Sequence, residues 1–393
     1  MLFSIALLLL FGLMLSGLLQ KVKIPGLVGM LLTGIIMGPY ALNIMDPELL
    51  RISPDLRKMA LIVILFRAGL ALDLKDLKRV GRPALLMCFV PATFEIIATT
   101  LLAPLLFPIT YLEAALLGTV LGAVSPAIVV PRMLKLMENG YGRERSIPQL
   151  VLAGASVDDI YVIVLFTSFL GMYGGSRFDA GGLLRIPVSI VLGVVGGILL
   201  GIGLVKLFRW IHMRDTVKML ILLAVSFVLV TLEDVLSAVV PFSGLLAVMA
   251  LGGTILKQYD VLAKRLSGKF SKIWVAAELL LFVLVGATVD VRYATQAGLA
   301  ALALVGMALV FRMAGVFLSV TGTSLNLKER LFCGLAYLPK ATVQAAIGGI
   351  PLAAGVGAGN LILTVAVLSI LVTAPLGAIG IDATYRKLLE RAA

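Results

Sequence analysis

The sequence predicts an all-α polytopic membrane protein of about thirteen transmembrane helices, arranged as inverted repeats and containing two discontinuous helices. Three observations carry that expectation. The 393 residues are 61% hydrophobic and only 14% charged. The apolar residues fall in runs long enough to cross a bilayer. Prolines, glycines and aspartates recur at a nearly constant offset. Soluble proteins average about 45–50% apolar and about 25% charged residues, so a mean hydropathy of +1.10 excludes a soluble globule, and the same numbers exclude disorder and collagen. The formal charge of +12 is no sign of a nucleic-acid partner here, because basic residues of membrane proteins collect in cytoplasmic loops. The expected partner is the lipid bilayer.

A crossing helix needs roughly 20 mostly apolar residues. Runs of that kind lie at about 2–19, 25–42, 57–73, 83–107, 112–131, 148–171, 186–205, 217–234, 239–256, 272–290, 297–320, 330–353 and 360–381. Internal Gly and Pro are tolerated where neighbouring helices satisfy the freed backbone groups. The first run lacks a basic start, and Gly17-Leu18-Leu19-Gln20 is not a small-residue cleavage site, so it counts as a helix rather than a signal peptide. Of the 33 Lys and Arg residues, 24 fall in odd-numbered connections and the C-terminal tail, six in even-numbered connections and three inside spans. That bias places the N-terminus outside and the C-terminus in the cytoplasm. No connection is long enough for a soluble domain, so function is expected to arise in the helices. Cys88 and Cys333 both sit in apolar runs and imply no disulfide framework. His212 is the single histidine and cannot build a metal site without partners.

Three landmarks repeat in register. Pro25 matches Pro241 at an offset of 216, Gly69 and Asp73 match Gly286 and Asp290 at 217, and Pro126 matches Pro339 at 213. Helices 2–6 thus correspond to helices 9–13. Seven is odd, so each pair runs in opposite directions, the inverted-repeat arrangement of many secondary transporters. Proline removes an i→i−4 hydrogen bond and clashes with the preceding turn. Pro126 and Pro339, at matched positions near mid-membrane, therefore suggest two broken helices whose half-helix ends face a substrate site.

Charged residues at mid-membrane are expensive and mark function by default. Asp158 and Asp159 occupy the centre of helix 6, and successive helical residues are about 100° apart, so they project to neighbouring faces. Burial and mutual repulsion both oppose ionising the two at once, which suits groups that trade a proton for a cation. Glu95 in helix 4 and Arg312 in helix 11 form a candidate ion pair, with the aspartates as alternative partners for an arginine that stays charged. Lys340, beside Pro339, can release a proton when desolvated. Three acids against two bases leave one negative charge, which a monovalent cation or a proton would balance. Glu278 and Arg67 lie nearer the cytoplasmic ends and are given no role.

The segments Gly122-Ala123-Val124-Ser125-Pro126, Ser156-Val157-Asp158-Asp159, Asn326-Leu327-Lys328-Glu329-Arg330 and Leu338-Pro339-Lys340-Ala341-Thr342-Val343-Gln344 resemble the sodium/proton antiporters of the cation:proton antiporter superfamily, and most closely the NHA branch. The resemblance runs from Pro25 to Pro375. It implies the NhaA-like antiporter fold with its two broken helices crossed, a homodimer, and a single membrane-embedded transporter domain. Core helices at about 57–171 and 272–353 would move elevator-fashion against scaffold helices at about 2–42, 186–256 and 360–381. It places ion binding on Asp158 and Asp159, which would hold the transported Na⁺. Ser125 falls in the first broken helix, and Lys340 with Thr342 and Gln344 in the second. Arginine at 312 with glutamate at 95 follows the NHA branch, where other relatives carry a lysine that pairs with an aspartate.

The expected activity is exchange of Na⁺ or Li⁺ for H⁺ without a cofactor, one for one and electroneutral, in a bacterial-type inner (plasma) membrane. The alternatives are K⁺/H⁺ exchange and sodium-coupled symport of an organic anion. An embedded enzyme would need a histidine cluster or a nucleophile–base pairing, and neither is present in the sequence.

Overall fold

The computed structural model describes residues 1–71, 81–173, 180–236 and 242–391. Asp73 and Pro241, two of the repeat landmarks, lie outside the described residues. Among those described, all regular structure is helical. Its elements are α1 (Leu2–Lys21), α2 (Gly26–Met37), α3 (Pro47–Arg51), α4 (Ser53–Ala71), α5 (Arg82–Met87), α6 (Val90–Leu106), α7 (Tyr111–Leu121), α8 (Pro126–Glu138), α9 (Ile147–Tyr173), α10 (Ala180–Trp210), α11 (Asp215–Leu236) and α12 (Gly244–Gln258). They continue with α13 (Asp260–Ala287), α14 (Val291–Ser319), α15 (Leu327–Ala336), α16 (Thr342–Ile347), α17 (Ile350–Ala353) and α18 (Gly359–Leu388).

Nine stretches of the described chain are long and apolar enough to span a membrane. The other four of the thirteen runs take different forms. Run 25–42 becomes the 12-residue α2, and run 239–256 becomes the 15-residue α12. Run 57–73 becomes the 19-residue α4, which opens with Asp55, Arg57 and Lys58. Run 330–353 divides into α15, α16 and α17.

Sequence chemistry explains the ends. Thr110 and Glu113 form a capping box that starts α7, and Asn326 with Glu329 does the same for α15, each satisfying two orphan backbone N–H groups. Glu329 also receives Arg145 from the connection ahead of α9. One break was not expected. Run 83–107 reads as continuous, but it divides at Cys88 and Phe89 into α5 and α6. Pro91 is the cause: it has no N–H for the Met87 carbonyl four residues back, and its ring crowds that turn.

Residues 1–54, 73–173 and 281–393 cluster into one compact unit, and residues 55–72 and 174–280 into another. In the first, buried side chains of α5, α8, α9, α14 and α15 form a continuous apolar cluster that includes Met87, Val129, Val151, Val316 and Phe332. There α2 crosses the end of α13 at bare backbone. A Cβ on Gly34 would overlap the Val283 carbonyl, and one on Gly286 would overlap that of Leu31. In the second unit α10 packs along α12, and Phe66 stacks on Phe270 with ring centroids 4.6 Å apart. Glu278 and Arg67 belong to this second unit.

Candidate functional site

The site lies wholly in the first unit and grows from two interrupted helices. α7 stops at Leu121 and α8 begins at Pro126; α15 stops at Ala336 and α16 begins at Thr342. Residues 122–125 and 337–341 are thus non-helical backbone deep in an apolar protein, where each N–H and C=O needs a partner. The two breaks supply partners to each other. Ser125 N donates to Pro339 O at 2.8 Å, joining them main chain to main chain.

Side chains partner several of the other groups. Lys340 Nζ donates to Leu121 O, and Gln344 Nε2 to Ala123 O at 2.9 Å. Pro126 cannot donate to Gly122 O, and Arg312 Nη1 takes that carbonyl instead. Val124 N donates to Asp158 Oδ2 at 2.8 Å, Arg312 Nε to Tyr337 O at 2.8 Å, and Lys340 N to Thr373 Oγ1 at 2.9 Å. The carbonyl end of α7 carries partial negative charge, and two cations meet it.

The five charged groups named from the sequence come together, all but fully buried. Arg312 forks between two acids, with Nη1 2.8 Å from Glu95 Oε2 and Nη2 2.8 Å from Asp158 Oδ2. Lys340 Nζ lies 2.6 Å from Glu95 Oε1. The result is a chain of alternating sign: Lys340, Glu95, Arg312, Asp158. Two positive and two negative charges cancel. Asp159 is left over, forming no ion pair with a base among the described residues.

Several buried oxygens here accept no hydrogen bond among the described residues: Ser125 Oγ, Asp158 Oδ1, Asp159 Oδ1, Thr342 Oγ1 and Gln344 Oε1. Ser125 is the N-cap residue of α8, yet its hydroxyl makes no cap bond. A buried acceptor without a partner costs about 1–3 kcal/mol, so a concentration of them calls for a reason.

With the geometry in place, the chain can be set beside known proteins. Residues 5–387 match the family described as "Sodium/hydrogen exchanger, transmembrane". The chain belongs to that family. This exchanger is 34% identical over 384 residues to sodium/hydrogen exchanger 9B2 of Homo sapiens, covering 94% of this chain and 70% of that protein. It is 34% identical over 354 residues to sodium/hydrogen exchanger 9B1 of Homo sapiens, covering 86% and 67%. Its fold matches the sodium proton antiporter MjNhaP1 of Methanocaldococcus jannaschii with a TM-score of 0.85 at 22% identity, over 98% of this chain and 99% of that one. It is accordingly an integral membrane cation:proton antiporter and not an enzyme.

Sequence reasoning found the charges but not all of their partners. It offered Glu95 and the aspartates as alternatives for Arg312, whereas the arginine binds Glu95 and Asp158 together. It assigned Lys340 no carboxylate, and Glu95 supplies one. It passed over Tyr337, whose carbonyl and ring both hold Arg312. The available signal was position: Tyr337 stands two residues before the break-forming Pro339.

Proposed function

We propose that this exchanger carries Na⁺ or Li⁺ against H⁺, with cation and proton competing for the Asp158–Asp159 pair and Asp159 as the member that trades. The observation that carries the reading is the charge chain, which occupies Asp158 with Arg312 and leaves Asp159 without a basic partner among the described residues. The oxygens of Ser125, Thr342 and Gln344 suit the same reading, since hydroxyl, amide and carboxylate oxygens are the ligands that hard cations take. The names of the animal relatives support sodium and hydrogen as substrates.

The mechanism follows from electrostatics. With Asp159 protonated or cation-bound, the buried charges sum to zero. With Asp159 ionised and empty, one net negative charge remains, and an aspartate at the centre of a membrane helix costs about 2.5–3.5 kcal/mol even on insertion scales. The loaded forms therefore reorient more readily than the empty one, and that preference couples the two fluxes. Arg312 keeps its proton throughout, and Lys340 stays on Glu95, so one proton leaves for each cation bound and exchange is electroneutral.

The rest of the reading is thirteen crossings with the N-terminus outside and the C-terminus cytoplasmic, in a plasma membrane, as a homodimer. An elevator-type core at about 57–171 and 272–353 moves against a scaffold at about 2–42, 186–256 and 360–381. The test is purified protein in liposomes with a pH dye, each cation added in turn. Dye responses to Na⁺ and Li⁺ support the proposal, and a response to K⁺ alone would replace it with K⁺/H⁺ exchange.

A further inference from the structure

Arg312 can hold Asp158 and leave Asp159 available only if something fixes the direction of its fork. An arginine side chain has several rotatable bonds, and its guanidinium would gain by turning to Asp159, which pairs with no base among the described residues. Tyr337 opposes that turn. Its carbonyl accepts from Arg312 Nε at 2.8 Å, and its ring lies under the guanidinium with Cζ 5.4 Å from the centroid. Desolvated cation–π contacts of this kind are among the stronger ones.

Tyr337 is itself anchored by two features of the chain. Its hydroxyl donates to Met87 O at 3.4 Å, the carbonyl that Pro91 cannot serve. Its ring tip fits against Gly154, where a Cβ would overlap the hydroxyl oxygen. Gly154 stands one helical turn ahead of Asp158 on α9, so the tyrosine is registered against the helix that carries both aspartates. The side chain is fully buried.

We infer that Tyr337 is a positioning residue for exchange: seated on Gly154 and Met87, it directs Arg312 onto Glu95 and Asp158 and keeps it off Asp159. The inference rests on the proposed role of Asp159. Without the ring, the guanidinium competes with the transported cation for that carboxylate and also makes it harder to protonate. Cation and proton affinity then fall together, while the rate at saturation changes less.

The experiment measures apparent Na⁺ half-saturation, saturating rate and pH profile in proteoliposomes for wild type and for Tyr337→Leu, Tyr337→Phe, Gly154→Ala, Gly154→Ala/Tyr337→Phe and Asp159→Asn. Tyr337→Leu is expected to raise half-saturation about tenfold and to move the pH profile toward acid. Tyr337→Phe keeps ring and carbonyl but gives up the hydrogen bond to Met87 O, so its half-saturation is expected between those of wild type and Tyr337→Leu, and its saturating rate shows that the position tolerates change without unfolding. Gly154→Ala is expected to behave like Tyr337→Leu. Adding Tyr337→Phe to it removes the overlapping oxygen, while Met87 Cβ still lies 2.9 Å from the added carbon, so half-saturation is expected to return part of the way. If Tyr337→Leu lowers only the saturating rate, or if Gly154→Ala leaves half-saturation unchanged, the positioning role is overturned. Wild-type exchange by Asp159→Asn would instead overturn the reading of the site, whatever the tyrosine variants do.

Discussion

Arg312 and Asp158 form a fully buried ion pair with 2.8 Å between Nη2 and Oδ2, on the carboxylate immediately before Asp159, which has no base among the described residues. Two adjacent aspartates, alike in sequence, thus stand in different electrostatic surroundings. Replacing either with asparagine is expected to have different consequences.

Asp159→Asn leaves every hydrogen bond of Arg312 in place. Exchange is expected to be lost, while thermal stability in detergent stays near that of wild type. Asp158→Asn is also expected to abolish exchange, but it strips Arg312 of one carboxylate and Val124 N of a charged acceptor. Breaking a buried pair costs about 3–5 kcal/mol, so its midpoint should fall by several degrees. Equal thermal stability in the two variants would contradict the asymmetry.

Glu95 serves two cations, so it stands inside the chain of charges, whereas Lys340 stands at its end. Glu95→Gln strands both Lys340 and Arg312 and is expected to destabilise more than Lys340→Met does. The double variant Glu95→Gln/Lys340→Met should be more stable than the sum of the single losses implies. Coupling between contacting groups commonly amounts to about 0.5–3 kcal/mol, and a cycle that closes at zero would show that the Lys340–Glu95 contact carries no energy.

A membrane potential imposed on proteoliposomes, with no pH gradient, is expected to drive no sodium movement coupled to opposite proton movement. Such movement would refute one-for-one exchange. Lys340→Met would then report whether Lys340 supplies the second proton.

Gly34→Ala tests the fold apart from the site. The added Cβ meets backbone at Val283, which cannot move aside as a flexible side chain can. Overpacking typically costs about 1–3 kcal/mol, and contact with main chain places this variant at the upper end. A midpoint equal to wild type would show that α2 and α13 separate easily.

How much of this was legible depended on the kind of signal. Asp158, Asp159, Glu95, Arg312 and Lys340 could be read because hydrocarbon makes any charge conspicuous. Pro126 and Pro339 could be read because they recur at matched positions. The break at Cys88 and Phe89 was missed although Pro91 was in plain sight, because proline is common in membrane helices and only tertiary contacts decide whether it bends or interrupts one. Tyr337 was missed because an aromatic residue in an apolar run looks the same whether it faces lipid or supports an arginine. Which acid a buried base will choose depends on how helices cross, and that information is spread over the whole chain.

An exchanger that let protons hop through unaccompanied would short-circuit the gradient it works against. Bare carbonyls inside a membrane protein are natural footholds for a file of water, and such a file conducts protons. Leu121, Gly122 and Ala123 present three in succession, and Lys340, Arg312 and Gln344 cover them one by one. Each covering group is a donor whose acceptor is already fixed, so these three carbonyls are taken. The same side chains that permit irregular backbone in the membrane thus also occupy the three carbonyls on which such a file would be built.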